Sequence, residues 1–375
     1  MYKPQLDGLR CLAFIGVFCA HWFLHRAWYG GFGVQIFFVL SGYLITGILL
    51  DNEAGRLRDR LKAFMCRRAL RVFPAYLAIL GVLALMGSPA FAKSWPWHAS
   101  YTYNVYVWLG TFHGKHAELF LNDWYGAGLH LWSMSVEEQY YLVWPFLLWL
   151  TPRRFRTPLM ILGIVTSIAA RIAFDQANPK AWYGALPIVC GEYVLWGGLV
   201  AALERGRIRR IIPPIPAILA GSLLFGLLVA VAKPTREPGP LFTQFITVPN
   251  DATWALGVQT GYALSFSLVI WGLSNLRGGL LLRVASWPPF VHVGKISYGL
   301  YLVHLPIWGL TVSILSRHPT LAEERFRPLI FVVQLAVTVA IASLSWIVLE
   351  KPINDLKSRF PYPRGPAGGA VSRDS

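Results

Sequence analysis

Residues 6–21 read LDGLRCLAFIGVFCAH, and the reading of this stretch decides the fold. Almost everything after Arg10 is apolar, as in a helix that crosses a membrane, yet Asp7 and Arg10 stand at one end and His21 lies deep inside. A cleavable leader is the alternative, but residues 21–31, HWFLHRAWYGG, offer no small-residue cleavage site. The stretch is therefore read as a retained span whose polar residues need a reason.

The rest of the chain agrees. Of its 375 residues 55% are hydrophobic and only 14% charged, too apolar a balance for a soluble fold of this length. Sixteen Trp and sixteen Tyr suit the membrane–water boundary, where one edge of the ring is wet and its body is apolar. The formal charge of +16 sits in short segments between apolar runs, so it reports topology and gives no reason to invoke nucleic acid. Cys11, Cys19, Cys66 and Cys190 form no pairing motif, and no disulfide is expected.

A span needs about 20 apolar residues to cross about 30 Å of hydrocarbon. Ten approximate spans satisfy this: 8–25, 32–50, 73–92, 131–150, 157–175, 182–203, 213–232, 254–275, 291–315 and 328–349. The segment 93–130 contains SYTYNVYVWLGTF and tempts an eleventh crossing, but charge parity argues against it. Lys and Arg concentrate in 56–71, 152–156, 204–210 and 275–283. With these loops and both termini on the cytoplasmic side, one extracytoplasmic passage separates residues 92 and 131, and an eleventh span would place PRRFR on the wrong face. The expected fold is thus an all-α polytopic membrane bundle of about ten helices. It forms one domain over 1–352, with 93–130 as an outer or re-entrant cap and 353–375 as a disordered cytoplasmic tail.

Several polar residues inside these spans call for an explanation. Arg10 and His21 are eleven residues apart, which on a helix returns to within about 20° of the same face and advances about 16 Å. Arg10 can snorkel to the inner boundary; His21 serves either an interhelical hydrogen bond or catalysis. In LWSMSVEEQYYLVWPFLL, Glu137 and Glu138 stand one to two turns inside an apolar helix, at a depth matching His21, with Ser133 on the face of Glu137. Glu137 is the preferred functional acid, Glu138 the alternative. Arg68 and Arg71, three apart, can grip a phosphate together or simply supply inner-face charge. His304, in GKISYGLYLVHLPIW, lines the same cavity or bonds to nearby backbone, the second being favoured. His113, His116 and His130 lack zinc-like spacing, are read as loop histidines, and no metal is expected.

Five blocks taken together resemble the acyltransferase-3 family of integral-membrane O-acyltransferases: LDGLRCLAFIGVFCAH, GVQIFFVLSGYLIT, FMCRRALRVFPAYL, LWSMSVEEQYYLVWP and ISYGLYLVHLPI. They occur in the family's order and cover residues 5 to about 350. The resemblance implies transfer of an acyl group, commonly acetyl from acetyl-CoA, to a hydroxyl of a carbohydrate, an envelope glycan or a secondary metabolite. It implies that Arg10 and His21 are the essential pair, that Arg68 and Arg71 form the inner-face arginine motif, and that Glu137 is the acidic motif. Some members of that family carry an extracytoplasmic hydrolase-like domain after the membrane region; none is expected within these residues, and a two-stage transfer is expected to need a partner.

On that basis the basic segment Arg56–Arg71 is expected to bind the CoA head as donor substrate, no cofactor being resident. Arg10 belongs to the same donor site, and Asp7, Ser133, Glu138 and His304 are candidate cavity-lining residues. The acceptor would enter beneath the cap, near Trp95, Trp97, Trp124 and Trp132, and His21 would act as general base or carry the acyl group transiently, with Glu137 steadying the imidazolium. The expected location is the bacterial inner membrane. A glycan or lipid-linked-precursor transporter using a His/Glu proton relay is the competing class.

Overall fold

The computed structural model describes residues 2–22, 30–114, 128–177, 183–206, 212–231 and 252–363, and among them there is no β-strand. The helices are α1 (Pro4–Trp22), α2 (Gly30–Asp51), α3 (Leu57–Leu85), α4 (Pro89–Ala99), α5 (Tyr103–Phe112), α6 (Trp132–Leu150), α7 (Arg153–Ala177) and α8 (Pro187–Arg205). They continue with α9 (Pro214–Val231), α10 (Ala252–Asn275), α11 (Leu280–Ala285), α12 (Pro288–Lys295), α13 (Ser297–Arg317), α14 (Arg327–Ser345) and α15 (Lys351–Asp355). The result is a helical membrane bundle.

Among the described residues seven helical runs are long and apolar enough to cross a bilayer: those of α2, α3, α7, α8, α9 and α13, and the continuous run Glu324–Arg359. In that run α14 passes through a π-helical turn, Trp346–Glu350, into α15. Helices α1, α6 and α10 have 19, 19 and 24 residues, long enough to cross, but carry more polar residues. Two of these three, α1 and α6, bring the residues singled out above.

Two expected boundaries shift. The third span was expected at 73–92, but α3 is one 29-residue helix starting at Leu57. The basic segment is therefore the first half of the span, and Arg68 and Arg71 lie about three and four turns inside the helix. The ninth span was expected as a continuous 291–315. It is broken at Ile296, where α12 ends and α13 begins.

Charged side chains gather several chain segments at one end of the bundle. Lys3 meets Glu204 at 2.6 Å, Arg205 meets Asp51 at 2.7 Å, and Glu53 pairs with Arg153 and Arg156. Arg67 donates to the carbonyls of Lys357 and Phe360 at 3.0 and 3.2 Å. The start of α1, the α2–α3 and α6–α7 connections, the end of α8 and residues 357–360 thus lie toward one end of the bundle.

Close crossings are made by glycines. At the α2–α8 crossing a methyl group on Gly42 would collide with the Val194 carbonyl, and one on Gly197 with the Val39 carbonyl. Helix α1 is seated the same way: Gly8 faces the Ala285 carbonyl of α11, and Gly294 of α12 faces the Asp7 carbonyl. Small residues let backbones approach where lipid supplies no hydrophobic drive between helices. These contacts fix the rotation of α1, hence where Arg10 and His21 point.

Candidate active site

His21, in the last turn of α1, meets His304 of α13. Its Nδ1 lies 3.1 Å from His304 Nε2, and the ring centroids are 5.0 Å apart. His304 is buried, and its Nδ1 lies 2.7 Å from the Tyr301 carbonyl one turn back. His304 therefore both lines the cavity and bonds backbone, two roles the sequence had set against each other. A cleft beside the pair is lined by Phe18, His21, Trp22, His304, Trp308 and Gln334.

His130 completes a cluster of three imidazoles and is a correction to its reading as a loop histidine. Gly128 adopts the left-handed backbone conformation, φ 72°, that a glycine tolerates without strain, and the single turn Leu129–Leu131 then leads into α6. This places His130 in the interior with its ring centroid 5.0 Å from that of His304. Its Nε2 lies 3.2 Å from the Leu302 carbonyl. That carbonyl is available because Pro306, four residues on in α13, has no N–H to give it. Ser133 joins the same group, with its hydroxyl 2.7 Å from that of Tyr301 and donating to the His130 carbonyl at 3.0 Å. Of the other two histidines, His113 follows the end of α5 and His116 lies outside the described residues.

The acidic residues sit elsewhere. Glu137 accepts from Tyr141, one turn on, at 3.0 Å, and the Tyr141 hydroxyl is 2.5 Å from Ser41 of α2. The guanidinium of Arg68 lies over the Tyr141 ring at 4.0 Å, within electrostatic reach of both Glu137 and Glu138. The carboxylates of α6 thus face Arg68, and the ring beside His21 is that of His304.

Arg71 lies within electrostatic reach of Arg10, Arg68 and Glu350. It also donates to the Lys295 carbonyl at the end of α12, at 3.3 Å, with its guanidinium 4.9 Å from the Trp346 ring. Arg10 lies 3.6 Å from Asp7. The Nε donors of Arg10 and Arg68 are buried without a hydrogen-bond partner among the described residues. Buried guanidinium donors left open in this way suit a ligand with anionic oxygens, and phosphate is the natural match.

Three residues of the site escaped sequence reasoning. Glu350 is buried, bonded to Ser345 at 3.1 Å and close to Arg71; its only signal was an acid closing the last apolar run. Gln334 and Trp308 each present a buried polar atom, Oε1 and Nε1, with no partner among the described residues, and both line the His21 cleft. The aromatic walls of that cleft come from Trp22 and Trp308, whose rings are 4.7 Å apart. Of the tryptophans expected near the acceptor's entry beneath the cap, Trp95 is exposed, Trp97 packs on Tyr106, Trp132 is buried against Phe38, and Trp124 lies outside the described residues. A buried ion pair, Arg171 with Glu192, joins α7 to α8.

A sequence-family model described as an acyltransferase domain matches residues 3–348. The chain is 30% identical over 372 residues to the peptidoglycan O-acetyltransferase OatA of Listeria monocytogenes, which covers 94% of this chain and 56% of that protein. It is 27% identical over 373 residues to the O-acetyltransferase OatA of Staphylococcus aureus, covering 94% of this chain and 57% of that protein. The chain thus spans little more than half the length of these relatives. No solved structure matches it significantly.

Proposed function

The chain belongs to the acyltransferase family, and we propose that it is a membrane-embedded O-acetyltransferase acting on a carbohydrate of the cell envelope, with a thioester of coenzyme A as donor. The observation that carries this reading is one continuous helix, α1, holding an arginine among other open guanidiniums at one end and a histidine in an aromatic cleft at the other. Arg10 and His21 are about 16 Å apart along that helix. A long, flexible donor with an anionic head and a reactive thioester at its far end fits that separation.

In this reading ten helices cross the membrane, with α1, α6 and α10 added to the seven apolar runs, and both termini are cytoplasmic. Helices α4 and α5, with 11 and 10 residues, are too short to cross and form the outer cap. The membrane is the bacterial inner membrane. Arg56, Arg58, Arg60 and Lys62 draw the donor to the inner face, and Arg10, Arg68 and Arg71 hold its phosphates. Asp7, Glu137, Glu138 and Glu350 fix the guanidiniums in place.

The thioester then lies beside His21. The acceptor hydroxyl enters the cleft against Trp22 and Trp308, with Gln334 accepting from, and Trp308 donating to, its polar groups. His21 removes the hydroxyl proton as the oxygen attacks the thioester carbonyl carbon. The tetrahedral intermediate collapses, the carbon–sulfur bond breaks, and the departing thiolate recovers the proton from His21. General-base catalysis of this kind contributes about 10²- to 10⁴-fold in rate.

Purified protein in liposomes, given radiolabelled acetyl-CoA and peptidoglycan fragments, tests the proposal. Transfer of label to the glycan supports it. Movement of glycan across the bilayer without acetyl-CoA, and with no label transferred, would identify a transporter instead.

A further inference from the structure

We infer that His304 is the positioning partner of His21, holding it in the tautomer whose lone pair is on Nε2; this rests on the reading of His21 as the base. One line of atoms runs from the Tyr301 carbonyl through His304 to His21. The Tyr301 carbonyl can only accept, so His304 Nδ1, 2.7 Å away, carries the ring hydrogen. In the neutral ring the lone pair of His304 is then on Nε2. His21 Nδ1, 3.1 Å from that lone pair, is then the donor to His304, with the Val17 carbonyl one turn back on α1 as a second acceptor for the same ring, and the basic lone pair of His21 is placed on Nε2.

The surroundings reinforce this polarity. His304 is buried and cannot exchange its backbone acceptor for water. The same logic applied to His130 puts its hydrogen on Nε2, facing the Leu302 carbonyl, so His130 does not compete for the Tyr301 carbonyl. The Phe14 ring closes another side of His304, edge to face at 6.2 Å between centroids. When His21 takes the acceptor proton on Nε2, its Nδ1–H already points at a neutral nitrogen acceptor, so the new positive charge is shared across the pair without rearrangement. His304 touches neither substrate in this scheme; it orients the ring that does.

Nitrogen-15 spectra of histidine-labelled protein in liposomes read the tautomer directly, with the His21 signal identified by its loss in His21→Gln. Wild type is expected to show His21 with hydrogen on Nδ1. In His304→Leu that signal should move toward the Nε2–H form favoured by free neutral histidine, and kcat should fall about 10²-fold with the donor KM little changed. In His304→Gln the side-chain amide oxygen can take the place of Nε2 as acceptor, so the His21 tautomer and most of the lost rate should return. Unchanged His21 nitrogen shifts in both variants would overturn the inference, as would a His304→Leu enzyme of full rate. Because the shifts are read without turnover, an inactive wild-type protein would refute the acyl-transfer reading while leaving the tautomer test intact.

Discussion

The guanidinium of Arg68 lies 4.0 Å above the ring of Tyr141, joining the basic half of α3 to the acidic half of α6 inside the bundle. A flat guanidinium can stack on a ring and still direct its in-plane N–H groups outward, whereas a lysine ammonium cannot do both. Arg68→Lys is therefore expected to raise the donor KM by about 10- to 100-fold, the equivalent of losing about 1.5–3 kcal/mol of charge-assisted hydrogen bonding. Steady-state kinetics with varied acetyl-CoA check this; an unchanged donor KM would remove Arg68 from the donor site.

Pro306 supplies a second prediction. Replacing it with alanine restores an N–H that competes with His130 for the Leu302 carbonyl. Removing proline from a helix interior ordinarily stabilises, by up to about 3 kcal/mol. Pro306→Ala should therefore keep or raise the thermal midpoint in detergent while lowering the transfer rate, an opposition that thermal unfolding and an activity assay on the same preparation would reveal.

The glycine crossings predict a contrast. Gly42→Ala sets a methyl group against the Val194 carbonyl and should cost about 1–3 kcal/mol, seen as a lower thermal midpoint. Gly16→Ala, on α1 with nothing within 4 Å of the added carbon, should keep or slightly raise the midpoint. Equal midpoints for the two variants would contradict the assignment of α2–α8 as a backbone-to-backbone contact.

Gln334 bears on the acceptor. Gln334→Leu removes one neutral hydrogen-bond partner from the cleft, worth about 1 kcal/mol, so kcat/KM for the glycan should fall about fivefold with the donor KM unaffected. A change confined to the donor would place Gln334 outside the acceptor path.

The helical class and the placement of the seven apolar spans were legible in the sequence, because apolar run length is a local property. The edges of α3 were not. Arg67, Arg68 and Arg71 look like a boundary when charge is counted along the chain, yet carboxylates from α6 and the π-helical turn let two of them continue into the bundle. The candidate residues Arg10, His21, Arg68, Arg71, Glu137 and His304 were all identifiable as polar groups in apolar surroundings. Their pairing was not: a spacing rule relates residues on one helix, whereas His21 meets His304 across 283 positions. Likewise nothing local distinguishes His130 from a loop histidine. Its burial depends on the Gly128 turn and on the carbonyl that Pro306 leaves open on another helix.

The most direct measurement is the rate of acetyl transfer from radiolabelled acetyl-CoA to a glycan hydroxyl by the His21→Gln protein, reconstituted and shown to be assembled by its thermal midpoint. The account predicts a fall of about 10²- to 10⁴-fold relative to wild type, with acetyl-CoA still bound at the arginines. A correctly assembled His21→Gln protein that transfers acetyl groups at the wild-type rate would contradict it.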